Sequence, residues 1–143
     1  MTTTDDLKLT LLLKANGLKV TPLRVAVLRV FQGLKAPVGV PEVFEKTKKV
    51  GANYVSVHRT VQTFAEKGIV REINLRHGHA DYEIADEGDH HHIVCTCCGK
   101  VEDFTGCGAG KLIRQALKPH TSFHTITDHS IELFGVCKTC AAA

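Results

Sequence analysis

The sequence predicts an α+β protein in two parts. The N-terminal part is helical and closed by a β-hairpin, and the second is a smaller mixed α/β module held by metal-ligating cysteines. Three observations predict this. Helical periodicity runs to about residue 67, then gives way to two short strand-like runs around a turn. Charge divides within that turn. Residues 1–76 carry 13 Lys and Arg against 6 Asp and Glu, a net of +7, while residues 77–143 carry 5 against 9, a net of −4. All six cysteines and eight of the nine histidines fall in the second part, where Cys95/Cys98 and Cys137/Cys140 form two C-x-x-C pairs.

The first helix is expected over residues 5–16, capped by Thr4 or Asp5 and stopped by Gly17. The second starts at the Thr21 cap with Pro22 in its first turn, and Gly33 ends it. Its apolar residues Leu23, Ala26, Val27, Val30 and Phe31 follow the spacing of one buried face. A third helix covers 41–49 and buries Val43 and Phe44, and a fourth covers 53–67 with Val57, Val61 and Phe64 inside. Strands at 69–75 and 80–84 flank a turn at 76–79. Helices followed by a hairpin is the order of a winged helix-turn-helix, in which the fourth helix enters the DNA major groove and the hairpin is the wing. That helix turns Ser56, His58, Arg59, Gln62 and Thr63 outward. The domains are expected at 1–84 and 90–143, with a polar, glycine-containing hinge at 85–89.

Beyond the hinge, strands are expected at 93–95 and 101–104, a helix at 110–118, and a long strand at 125–136 placing His129, Ile131 and Leu133 on one face. A module of this size needs a metal, a partner subunit, or both to complete its core. No apolar run approaches the ~18 residues that cross a membrane. The first residues lack the basic and apolar regions of a signal peptide. The expectation is therefore a cytoplasmic protein, whose cysteines ligate metal rather than pair as disulfides. The basic first part suits a polyanion and the acidic, ligand-rich second part suits cations.

Cys95, Cys98, Cys137 and Cys140 have the spacing of a tetrahedral thiolate site for structural Zn(II), and the spacing favours Cys98 over its neighbour Cys97. In the run His90-His91-His92, alternate residues share a face, so His90 and His92 point one way while Asp89 and His91 point the other. Two neighbouring sites follow. Glu83 and Asp103 can join His90 and His92, with His79 completing the set. Nitrogen and oxygen donors of this kind suit Fe(II), Mn(II), Ni(II) or Zn(II).

Several segments together resemble the ferric uptake regulator (Fur) family of bacterial metal-responsive repressors. They are GLKVT at 17–21 with Arg24, YVSVHRT at 54–60, GIV at 68–70, DHHHIVC at 89–95, CGKV at 98–101 and HSIELFGVC at 129–137. The resemblance implies a homodimer on double-stranded operator DNA, with an N-terminal winged helix and a C-terminal dimerisation domain. It implies repression of metal-uptake or peroxide-stress genes when a regulatory site is filled. Cys95, Cys98, Cys137 and Cys140 match the family's structural zinc ligands. Glu83, His90 and His92 match its hinge site, with Asp103 a carboxylate used there in some members. Asp89, His91 and His129 match a further site. Lys19 matches a lysine that reaches the minor groove, Arg59 an arginine of the recognition helix, and Arg24, Tyr54, Ser56 and His58 lie within the matching DNA-facing segments.

The chain also departs from the family pattern. His58 stands where a tyrosine is usual, which changes apolar contact with thymine methyls. Residues 36–41 lack the usual hinge-ligand histidine, so the site is either incomplete or borrows His77 or His79. Gly110 holds the place of a glutamate of the further site, and Cys107 lies nearby, which biases that site towards zinc. The expected function is a metal-dependent repressor of iron- or zinc-uptake genes, or a peroxide-sensing regulator, and not an enzyme. A zinc hydrolase would need an open metal position beside a general base, and no HExxH motif occurs. A thiol oxidoreductase would need its C-x-x-C in a βαβ setting. A metal-storage protein would need no basic N-terminal part.

Overall fold

A computed structural model of the chain describes residues 3–34, 36–85 and 90–143. Two compact units divide at Asp86/Glu87. Of the expected hinge only Ala85 is among the described residues; 86–89, with Asp89, lie outside them.

The first unit runs α1 (Thr3–Ala15), α2 (Pro22–Gly33), β1 (Val38–Gly39), α3 (Val40–Thr47), α4 (Tyr54–Glu66), β2 (Val70–Ile73) and β3 (Asp81–Ile84). Local chemistry sets the helix ends. Thr21 Oγ1 accepts the Arg24 amide at 3.3 Å and Pro22 occupies the first turn of α2. Asn53 caps α4 by accepting the Ser56 amide at 2.9 Å. Gly68, at φ +70°, lets the chain turn back so that the Ile69 amide donates to Phe64 O at 2.8 Å. Leu13, Val27, Leu28, Val43, Val57, Val61 and Phe64 pack in one core with the expected inner stripe of α4 at its centre.

Three details differ from expectation. The third helix ends at Thr47, not 49, and a 3-10 turn over Lys48–Val50 follows. There Thr47 Oγ1 donates back to Val43 O at 2.8 Å, a bond that competes with continued α-helix. The hairpin strands are shorter than predicted, and the loop between them is longer. The Arg76 amide donates to Asn74 Oδ1 at 3.0 Å, and Arg76 and Gly78 take φ +61° and +91°. The two-residue β1 carries too little pattern to be read from sequence; it pairs antiparallel with β3, giving the order β1-β3-β2.

The second unit runs β4 (His91–Cys95), β5 (Val101–Phe104), α5 (Ala109–Ala116), β6 (Glu132–Gly135) and α6 (Lys138–Ala141). β4 is central, antiparallel to β5 and parallel to β6. The long strand expected over 125–136 is corrected to Glu132–Gly135. Its ladder begins at His92↔Glu132 and β4 itself starts at His91, so the chain before Ile131 runs past the end of its partner. His129 and Ile131 therefore precede the strand. The short α6, which sequence reading passed over, is capped by Cys137, whose Sγ accepts the Cys140 amide at 3.5 Å.

Candidate metal centres and the helix surface that faces outward

Cys95 ends β4, Cys98 follows in the tight turn to β5, and Cys137 and Cys140 bracket the start of α6. The four sulfurs all lie within 4.8 Å of one another. Zinc–sulfur bonds of ~2.3 Å place tetrahedral sulfurs about 3.8 Å apart, and Cys98 Sγ stands 3.8 Å from Cys137 Sγ. The cluster fits a structural zinc. Gly99, at φ +77°, closes the first turn, with its amide donating to Cys95 O at 2.9 Å. Backbone amides of Cys98 and Cys137 point at Cys95 and hold its thiol down at about 6. The neighbouring Cys137, Cys97 and Cys98 side chains push Cys140 well above the ordinary thiol value. Cys98 is also raised: the Lys100 amide lowers it, but the Cys95 and Cys137 side chains and burial outweigh that pull. Cys97 is exposed on the turn and is not one of the clustered four.

The start of β4 sorts its histidines as the alternation predicts. His90 and His92 meet ring to ring at 5.3 Å, and His92 Nε2 lies 3.6 Å from Asp103 Oδ1, its register partner on β5. His91 faces elsewhere, between Phe104 at 5.4 Å and His129 at 5.1 Å. His91, Cys107 and His129 bring one donor atom each within 4.8 Å of the others. The Cys107 Sγ to His129 Nε2 distance is 3.5 Å, against about 3.6 Å for a thiolate and an imidazole on one tetrahedral zinc. Buried His91 Nε2 makes no hydrogen bond among the described residues, as a nitrogen reserved for a metal would not. Asp89 lies outside the described residues. Exposed Gly110 supplies no ligand, and a Cβ there would stand 3.6 Å from Arg114 Nη1.

Glu83, in the first unit, accepts from Arg71 Nε and Nη2, both at 2.7 Å, across the β2–β3 ladder. His79, expected among the hinge ligands, instead stands beside His77 and Asp81 on the hairpin. Sequence reading missed this grouping, because His77 and His79 lie in the bent loop before β3, where no strand alternation marks a shared face.

The outward surface of α4 exposes Tyr54, Val55, His58 and Arg59, with Ser56 half-buried beside the cap. Tyr54 and His58, one turn apart, lie 6.3 Å ring to ring. Lys19 is exposed, and Arg24 is half-buried, its Nη1 donating to Lys19 O at 2.9 Å. Arg24 thus braces the turn that presents Lys19.

A winged-helix unit followed by a thiolate-stapled, histidine-lined module is the build of a metal-responsive regulator. The sequence profile of the ferric uptake regulator family matches residues 15–134. The ferric uptake regulation protein of Legionella pneumophila is 32% identical over 136 residues, covering 90% of this chain and 95% of that one. The peroxide operon regulator of Bacillus subtilis is 26% identical over 131 residues, covering 90% and 88%. The structure of the ferric uptake regulator from Francisella tularensis with iron superposes at a TM-score of 0.72 and 29% identity, covering 87% and 96%. The chain belongs to the ferric uptake regulator family, a family of transcriptional regulators.

Proposed function

We propose that this protein is a dimeric, cytoplasmic repressor that binds operator DNA when a divalent metal fills its regulatory site, and that it controls metal-uptake genes. The observation that carries the reading is the pairing, in one chain, of an exposed Tyr54–His58–Arg59 surface on α4 with the buried His92 held against Asp103. Lys19, Tyr54, Ser56, His58 and Arg59 would meet the duplex, with Arg24 as their brace. His90, His92 and Asp103 are the regulatory donors, together with Glu83 as the resemblance implies. Their nitrogen and oxygen atoms suit Fe(II), Mn(II) or Zn(II). His91, Cys107 and His129 form the further site, with Asp89 as the resemblance implies, and there the thiolate selects Zn(II). The metal acts by binding the DNA-competent conformer more tightly than the other.

The second unit supports the dimer. Phe123, Leu112 and Val136 are 72%, 64% and 60% exposed, while among described residues its buried set is only His91, His92, Val94, Cys95 and Ala109. A small module with this much apolar surface in water is completed by a second copy. No helix among the described residues is long and apolar enough to cross a membrane.

The test is DNA binding by fluorescence anisotropy, using protein treated with a mild chelator that leaves the thiolate zinc, before and after Fe(II), Mn(II) or Zn(II) is restored. Tight binding only on restoration is expected; equal affinity throughout overturns the reading. Similarity to the Bacillus subtilis peroxide operon regulator favours a second reading, peroxide sensing. Loss of DNA binding when the iron-loaded protein, but not the manganese-loaded one, meets hydrogen peroxide would select it.

A further inference from the structure

We propose that His77, His79 and Asp81 form a separate divalent-metal site on the β2–β3 hairpin, of the Zn(II) class, contained entirely within the first unit. The donor geometry carries the proposal. One atom from each residue lies within 4.8 Å of the other two. His77 Nε2 stands 2.5 Å from Asp81 Oδ2 and His79 Nδ1 stands 3.6 Å from Asp81 Oδ1, with the two rings 4.1 Å apart. Nitrogen and oxygen donors on one tetrahedral zinc are about 3.3 Å apart, so small side-chain movements convert this arrangement into a ligand set.

Burial supplies the second argument. The Asp81 side chain is 5% exposed, and its Oδ2 makes no hydrogen bond of ordinary geometry among the described residues. A carboxylate so placed is costly unless something cationic compensates it. One divalent cation held by both imidazoles, whose rings lie 4.1 Å apart, satisfies the carboxylate.

The backbone makes room for the cluster. A Cβ added at Gly39, the β1 residue paired with Asp81, would stand 3.2 Å from His79 Nδ1 and 3.3 Å from Asp81 Oδ1. An open cavity lined by Glu72, Asn74, Gly78 and His79 adjoins the cluster and gives an ion a path and a position for water. Two imidazoles and a carboxylate with an open fourth position is a ligand set that zinc takes. The bound ion would tie the hairpin loop to β3 and turn a locally anionic spot cationic. Where the hairpin serves as a DNA wing, that change favours phosphate; the metal site itself does not depend on that reading.

The test uses the full chain, equilibrated with Zn(II) alone at one free concentration, with zinc per chain measured by atomic spectrometry. The double variant H77Q/H79Q, and separately Asp81→Asn, should each bind one zinc fewer than the parent. Unchanged stoichiometry overturns the proposal and leaves only an ion pair. Melting temperatures in chelator identify any variant that has lost its fold, and the other variant then decides. Loading with Co(II) gives an independent readout. The absorption lost in H77Q/H79Q should be ligand-field bands without thiolate charge transfer; loss of thiolate bands would place the missing ion at a cysteine site and overturn the proposal.

Discussion

Single residues decide which ion each centre accepts and at what pH. Cys95 has its pKa lowered to about 6, so its thiolate is present at neutral pH and disappears as pH falls through that value. Cys98 and Cys140 are raised, so both keep their protons at pH 7 and must give them up to bind zinc. Zinc binding by metal-free protein at pH 7 should therefore release at least two protons, measured by calorimetry in buffers of different ionisation heat. Below pH 6 the affinity should fall more steeply as Cys95 also protonates. Cys107→Ser should weaken zinc at the His91 centre at least about tenfold, because a direct ligand matters no less than the outer groups around a metal. Direct titration against a zinc indicator checks this, and undiminished affinity would remove Cys107 from the site. The sequence showed His91 facing away from His90 and His92, because alternation needs only a strand. It could not show that Cys107 meets His129 across 22 residues, since loop closure leaves no periodic trace.

Elements carry the proposed recognition surface. Helix α4 was legible because its inner stripe and its Gly68 stop agree, and agreement among local signals is what makes a segment readable. Asn53→Ala should cost about 1 kcal/mol through the lost cap. Phe64→Ala, a cavity at the core centre, should cost about 3–5 kcal/mol. Both are read by denaturant titration. Arg59→Ala should leave stability unchanged, weaken DNA binding across sequences, and reduce the slope of log K against log salt by about 1. An unchanged slope would turn Arg59 away from the phosphates. The overlong strand at 125–136 was misread because propensity gives no notice of where a partner ends. Only the β4 register limits β6 to Glu132–Gly135.

At the scale of the whole molecule, the split in charge and ligand residues announced two units. What the sequence left out was the allocation of the histidines, since His79 sorts with His77 and Asp81 only once β3 and its loop are formed. The second unit has few buried side chains and leans on its thiolate zinc. Cys95→Ser should therefore unfold it while the helical unit, with its own core, persists. Hydrogen exchange would show amides protected in α1–α4 and lost in β4–β6; cooperative loss everywhere would contradict this. The central strand β4 has a further consequence. It carries His91 and His92 at one end and Cys95 at the other, about 10 Å away at the rise of a β-strand. Strand β6 is fastened to β4 along this length and leads directly into Cys137. An oxidant that strips the thiolates would therefore loosen the frame on which His91 and His92 are mounted. On the proposed function the staple is a fuse, and its failure would silence the regulator whatever the metal supply.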